Sequence, residues 1–236
     1  TDINSSISTV IELFSNNPES TGILITKNSQ YYGFLSAKAI INIMNENNLL
    51  QARDQNPLTK LPGNRMIEKY ISQVSNCNCS HLLCYFDLDN FKAFNDVYGF
   101  RNGDRVIQLF ADLLRKEFSS DVFKAHIGGD DFFAAFKSED ELNTDKLLKE
   151  ISKLIDKFAN SVKEFYSIDD KKKGYISTKD RDGNSKKFPL LTVSVSIVNI
   201  PKLLQNLSEE SINIILSKQK KVAKNESSKI AISSML

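Results

Sequence analysis

The residues best suited to chemistry are acidic and fall in two short stretches. Tyr85-Phe-Asp-Leu-Asp-Asn-Phe-Lys92 sets Asp87 and Asp89 two apart at the end of an apolar run. Ile127-Gly-Gly-Asp-Asp-Phe132 sets Asp130 and Asp131 on a glycine pair between two further apolar runs. Carboxylate oxygens are the ligands that a hard cation such as Mg²⁺ takes. Glycines supply the positive φ of a tight hairpin and let backbone approach a ligand closely. Taken alone, Asp-x-Asp after a strand equally serves as a turn or helix-cap device. Two acidic strand ends in one sheet, with Lys92 beside them, form a more specific pattern: a site for a divalent metal and a polyphosphate. Side chains along a strand are divided between its two faces. The expectation is therefore that only one of Asp87 and Asp89 faces the site, the other being held by donors or solvent.

The elements around these stretches are legible from periodicity. Leu82 to Phe86 is continuously apolar, as for a strand buried on both faces. Val106, Ile107, Phe110, Leu113, Leu114 and Phe118 make the stripe of a helix that starts near Gly103. Val122–Ile127 and Phe132–Phe136 are strands about the Gly-Gly turn, and Asp145–Phe165 reads as one long helix. Asp182-Gly183 suggests a protruding hairpin, with Lys171 to Lys173 in a solvated loop. Leu191 to Ile197 alternates strictly, the mark of a strand with one drier face. A helix over about 208–223 and a strand over 229–233 follow. Interleaved helices and strands that include a hairpin predict an α/β (α+β) fold with a mixed sheet.

Before residue 50 the pattern is helix, strand, strand, helix. Gly22–Thr26 and Tyr31–Ser36 are β-prone, joined by Lys27-Asn28-Ser29-Gln30 as a hairpin connection. Leu50 to Asn56 is a polar bridge.

Composition narrows the function classes. Among 236 residues, 31 basic and 29 acidic residues leave a net charge of +2, which excludes strong global attraction to nucleic acid or acidic membranes. No apolar run nears the ~18 residues of a membrane span. The opening Thr1-Asp2-Ile3-Asn4 lacks a basic segment leading into an apolar core, so no signal peptide is expected. Without an initiator Met, the chain reads as a piece of something longer. Cys77, Cys79 and Cys84 are too few for a disulfide scaffold and wrongly spaced for a zinc knuckle. Free thiols in a reducing cytoplasm are expected, with Cys84 in a strand.

Six ordered motifs resemble the GGDEF family of bacterial diguanylate cyclases: Asn56-Pro-Leu-Thr-Lys-Leu-Pro-Gly-Asn-Arg65, Phe86-Asp-Leu-Asp-Asn-Phe-Lys-Ala-Phe-Asn95, Asp96-Val-Tyr-Gly99 with Gly103-Asp104, Gly128-Gly-Asp-Asp-Phe132, Thr192-Val-Ser-Val-Ser196 and Ala223-Lys224. The resemblance covers roughly residues 54–236 and implies a sheet like that of nucleotidyl cyclases and polymerase palms, wrapped by helices. It implies that Asp87, the Leu88 carbonyl and Asp130 hold Mg²⁺ (or Mn²⁺). It gives Asp130 the 3′-hydroxyl proton and Asp131 a catalytic place beside it. Asn95 and Asp104 would read a guanine edge. Lys92, the backbone at Asn90 and Phe91, Gly128, Gly129 and Lys224 would lie along the GTP phosphates. The implied reaction condenses two GTP into cyclic di-GMP across a transient homodimer.

Departures bear on activity. Asp131 stands where Glu is usual, and its carboxylate falls about an ångström short, a displacement that can cost ~100-fold in rate. His126 and Ser228 stand where Arg is common, and Phe100 where His is common. His126 is expected as a strand residue with one satisfied ring nitrogen. The product-inhibition motif Arg-x-x-Asp is absent; Phe118-Ser-Ser-Asp121 lies in its region. Residues 1–50 resemble one CBS repeat, in Gly22-Ile-Leu-Ile-Thr26 and Tyr32-Gly-Phe-Leu-Ser36, with residues 51–236 as the GGDEF domain. The resemblance implies an upstream CBS repeat and EAL domain. The first expectation is a cytoplasmic diguanylate cyclase of modest activity. The alternative is a degenerate domain that binds GTP and regulates a linked EAL phosphodiesterase.

Overall fold

The computed structural model describes residues 1–5, 7–17, 19–74, 77–179, 184–202 and 209–234. The chain divides into two compact units, Thr1–Arg53 and Asp54–Leu236. The first holds helix α1 (Ile7–Ser15), strands β1 (Gly22–Lys27) and β2 (Gln30–Ser36) and helix α2 (Ala37–Asp54). Asn28 and Ser29 both take positive φ, 51° and 61°, the twist a two-residue hairpin turn needs. Among the described residues, Ile40 is this unit's one fully buried apolar side chain, while Leu24, Tyr31, Tyr32 and Phe34 are more than half exposed. So short a segment cannot enclose a core of its own.

The second unit is built on a five-stranded sheet of order β4-β5-β3-β8-β9. Its elements are α3 (Asn64–Val74), β3 (Ser80–Asp89), α4 (Phe91–Tyr98), α5 (Phe100–Glu117), β4 (Phe123–Gly128), β5 (Asp131–Ser138), α6 (Thr144–Ser161), α7 (Ile168–Lys173), β6 (Tyr175–Lys179), β7 (Ser185–Pro189), β8 (Thr192–Ile200), α8 (Glu209–Asn225) and β9 (Ile230–Ser234). Neighbouring strands run antiparallel except β8 and β9, so the sheet is mixed as expected. Strand β3 is central and its side chains divide by parity. Leu82, Cys84, Phe86 and Leu88 enter one core with α4, α5 and α6, where Phe110 packs on Phe86, Phe132 and Phe158. Leu83 and Tyr85 face the other core, formed with Ile67, Ile71 and Val74 of α3 and Ile212 of α8.

Several expectations need correction. Strand β3 extends through Asp89 rather than ending before Asp87. Residues two apart on one strand share a face, so Asp87 and Asp89 project together. Helix α5 begins at Phe100, because Gly99 (φ 79°) breaks the path between α4 and α5. The long helix stops at Ser161 and gives way to a 3₁₀ turn over Val162–Phe165. Lys171–Lys173 form the last turn of α7, where cations meet the negative end of the helix dipole. Strand β8 is buried on both faces, since β3 and β9 flank it and helices cover it. The Asp182-Gly183 turn lies outside the described residues, although β6 and β7 do pair. Cys77 and Cys79 are joined in a disulfide, their Cα atoms 5.2 Å apart, so of the three cysteines only buried Cys84 is a thiol. No helix among the described residues is long and apolar enough to cross a membrane.

His81 is the second residue of β3, 3% exposed, with Nδ1 3.2 Å from the Tyr70 hydroxyl and no partner at Nε2. Burial, with Lys137 opposite it in β5, lowers its pKa to about 4. The unfolded chain therefore takes up a proton near pH 6.5 that the fold refuses until about pH 4. Urea unfolding at stepped pH will show stability falling from pH 6.5 to 4, and His81→Gln will flatten that slope by up to about 1.4 kcal/mol per pH unit.

Candidate functional site

The site forms where β3, the β4–β5 turn, α4 and the end of α8 meet. Gly128 pairs with Asp131 across the hairpin, leaving Gly129 and Asp130 as a two-residue turn. Gly129 takes φ 57°, a left-handed value that glycine adopts at no steric cost. The Leu88 N–H donates to the Asp130 carbonyl at 3.1 Å, tying the turn to the central strand. The register sets Asp131 directly opposite Asp87. Cross-strand partners share a face, so these two carboxylates stand side by side.

Burial of the strand carboxylates demands donors. The Asp89 side chain is 8% exposed. It accepts from the Thr192 hydroxyl at 2.8 Å and the Ser194 hydroxyl at 2.7 Å, both on β8, with Lys229 Nζ at 3.5 Å. Thr192 and Ser194 stand two apart, as Asp89 and Asp87 do, so one polar stripe crosses the pair of strands. The Asp87 side chain is 4% exposed, and its Oδ1 lies 2.8 Å from Lys224 Nζ on α8. Thr192, Ser194 and Lys229 carry no role in the sequence reading. For the first two a signal was there: Thr192, Ser194 and Ser196 place hydroxyls at alternate positions of a largely apolar strand.

A second constraint runs through His126. Its ring is 3% exposed and stacks on Phe132 at 4.2 Å. Nε2 lies 3.0 Å from the Gly129 carbonyl, which can only accept, so Nε2 carries the proton. Nδ1, 3.1 Å from Thr59 Oγ1, is then the acceptor of the neutral ring. Burial holds this pKa below the ordinary histidine value, outweighing the Gly129 bond and the Asp131 charge. Both ring nitrogens are thus engaged, not one. The His126 N–H also donates to the Pro62 carbonyl at 2.9 Å. Asn56 Oδ1 accepts from Leu58 and Thr59 N–H, and Arg115 donates to the Thr59 carbonyl. The 56–62 turn is therefore braced against the glycine turn.

Helix α4 opens on Asn90, whose φ of 64° turns the chain sharply out of β3. The first N–H groups of such a helix have no intrahelical acceptor and suit phosphate oxygens. The Phe91 side chain is core, so at this position only backbone is available to a ligand. Lys92 and Asp104 are exposed. Asn95 is held close to Gly103: a Cβ there would collide with Asn95 Oδ1. That oxygen is buried and lacks a hydrogen-bond partner.

No three His, Cys, Asp or Glu side chains cluster as metal ligands among the described residues. Magnesium asks for less: one or two carboxylates, with phosphates and water completing its shell. Asp87, buried and paired with a lysine beside the Asp130–Asp131 turn, fits that demand.

Residues 53–178 match the family described as "Diguanylate cyclase, GGDEF domain". The bifunctional diguanylate cyclase/cyclic di-GMP phosphodiesterase MucR of Pseudomonas aeruginosa is 33% identical over 113 residues, 44% of this chain and 16% of MucR. Diguanylate cyclase DgcZ of Escherichia coli is 29% identical over 134 residues, 56% of this chain and 42% of DgcZ. The chain thus spans less than half the length of either relative. The coiled coil and GGDEF domain of DgcB from Caulobacter crescentus, solved with c-di-GMP, superposes with a TM-score of 0.60. That match is 17% identical and covers 84% of this chain and 95% of the other, which establishes a shared fold.

Ser194→Ala removes a donor from a buried charge. Urea denaturation will show a loss of about 1–3 kcal/mol, with the secondary structure unchanged by circular dichroism.

Proposed function

The chain belongs to the diguanylate cyclase GGDEF domain family, and on that premise we propose that it binds Mg²⁺·GTP and condenses two GTP molecules into cyclic di-GMP. The observation that carries this reading is the buried, partnerless Oδ1 of Asn95 beside Gly103. An orphaned acceptor costs stability unless a ligand supplies a donor. The guanine edge presents N1–H and N2–H donors, whereas adenine presents an acceptor at N1. Asp104, next to Gly103 in sequence, adds a second acceptor for the same edge.

In this reading the N–H groups at the start of α4, Lys92 and the backbone of Gly128 and Gly129 hold phosphate oxygens. Asp87, Asp130 and the Leu88 carbonyl hold the metal, which when bound neutralises phosphate charge and acidifies the attacking 3′-hydroxyl. Asp130 accepts that proton, and Asp131 sits next to it on the face of Asp87. Each domain holds one GTP, so two copies must meet for reaction. The GTP supply places the domain in the cytoplasm. Residues 1–50 form a CBS-like half module, supported by the exposed Leu24, Tyr32 and Phe34 of its hairpin. Residues 51–236 form the GGDEF domain. No nucleic-acid partner is assigned.

One observation favours a second reading, in which the domain binds GTP and regulates a linked EAL phosphodiesterase. Asp131 opens strand β5, paired opposite Asp87, and its side chain is one methylene shorter than Glu. MucR, a bifunctional protein, is a relative.

Concentrated protein incubated with Mg²⁺ and GTP will yield cyclic di-GMP by chromatography, and Asp130→Ala will abolish it. GTP binding by calorimetry without product would select the regulatory reading; product unaffected by Asp130→Ala would overturn the metal assignment. Asn95→Ala will weaken GTP roughly tenfold or more and leave ATP binding unchanged.

A further inference from the structure

The two strand carboxylates are neutralised in different ways. Asp89 has two hydroxyl donors at 2.7–2.8 Å on a neighbouring strand, and its lysine stands off at 3.5 Å. That lysine, Lys229, also donates from Nζ to the Lys224 carbonyl at 2.9 Å. Asp87 has the ammonium of Lys224 at 2.8 Å, on a side chain 43% exposed. Lys224 lies in the last turn of α8, and its stem is long and flexible. The Asp89 arrangement is fixed by the sheet. The Asp87 pair depends on a side chain that can leave without disturbing any strand.

A buried carboxylate requires a cation. A divalent ion binding Asp87 would sit about 2 Å from its oxygen, close to where the ammonium now stands. Like charges at that separation repel strongly. We propose that Lys224 is an exchangeable placeholder cation on Asp87: it pairs with the carboxylate, opposes binding of metal alone, and transfers to the triphosphate when metal and nucleotide arrive together. This rests on the reading of Asp87 as a metal ligand. Lys224 is then a positioning residue whose two stations, carboxylate and phosphate, make metal entry conditional on a polyphosphate. Charge is conserved in the exchange: one ammonium leaves the carboxylate as the metal arrives, and the phosphate oxygens take it.

The test measures Mn²⁺ binding without nucleotide, by electron paramagnetic resonance of the free ion, in the full chain and its variants. Lys224→Gln keeps a neutral donor for Asp87, and Lys224→Met keeps only the stem. Each neutral variant is expected to bind Mn²⁺ at least roughly tenfold more tightly than the unaltered chain, and Asp87→Asn to abolish that binding. If Lys224→Met fails to fold, Lys224→Gln decides. Unchanged or weaker Mn²⁺ binding in Lys224→Gln, with Asp87→Asn still abolishing it, would overturn the placeholder role while sparing the metal site. Mn²⁺ binding indifferent to Asp87→Asn, or absent throughout, would overturn both.

Discussion

Two carboxylates buried side by side on the central strand constrain the rest of the second unit. Asp87 and Asp89 share one face of β3 and are almost closed to solvent. Neither is tolerable there without donors or cations. Those partners come from far along the chain: Thr192 and Ser194 on β8, Lys224 at the end of α8 and Lys229 just before β9. The antiparallel β3–β8 register sets the hydroxyls opposite the carboxylates, and a one-residue slip would turn them to the other core. The polar stripe thus specifies the same register as the hydrophobic alternation, a consistency that marks a well-defined fold.

A parallel argument covers the glycine turn. A two-residue turn at an exposed strand end is ordinarily free to move. Here His126 reaches from one limb of the hairpin to the Gly129 carbonyl, and its other nitrogen is fixed by Thr59. Burial holds the ring's pKa below the ordinary histidine value and so favours the neutral form. A neutral ring has one donor and one acceptor, and both are used, so its orientation is determined. The turn that presents Asp130 and Asp131 is therefore held by the segment over 56–62, and displacement of that segment would be felt at the carboxylates.

The mixed sheet and most helices of the second unit were legible because their periodicity is driven by burial. Leu82 to Phe86, the α5 stripe and the α6 stripe each have one packing solution. The errors arose where local chemistry competes with periodicity. Gly99 divides a helical pattern by its positive φ, which no hydrophobic stripe reports. The extension of β3 through Asp89 was hidden because polar residues at a strand end look like a turn. The face shared by Asp87 and Asp89 was misjudged at the same place. At the site, Asp87 and the glycine turn stood out by composition. The partners of Asp89 did not, since Thr192, Ser194 and Lys229 acquire meaning only through register and the return of α8. His126 looked like a core histidine with one bond, because Thr59 lies 67 residues away.

The first unit obeys a different balance. Its hairpin exposes Leu24, Tyr32 and Phe34, and one apolar side chain, Ile40, is fully buried among the described residues. The surrounding alternation does not produce a drier inside, because four short elements have too little surface to enclose one. In the second unit, fully buried Phe86, Phe94, Phe110, Phe132, Phe133 and Phe158 occupy both faces of one sheet. That core gives the site its rigidity. Asp87 and the glycine turn are anchored at the edge of close-packed aromatic layers, while the Lys224 side chain, 43% exposed at the end of α8, lies outside them.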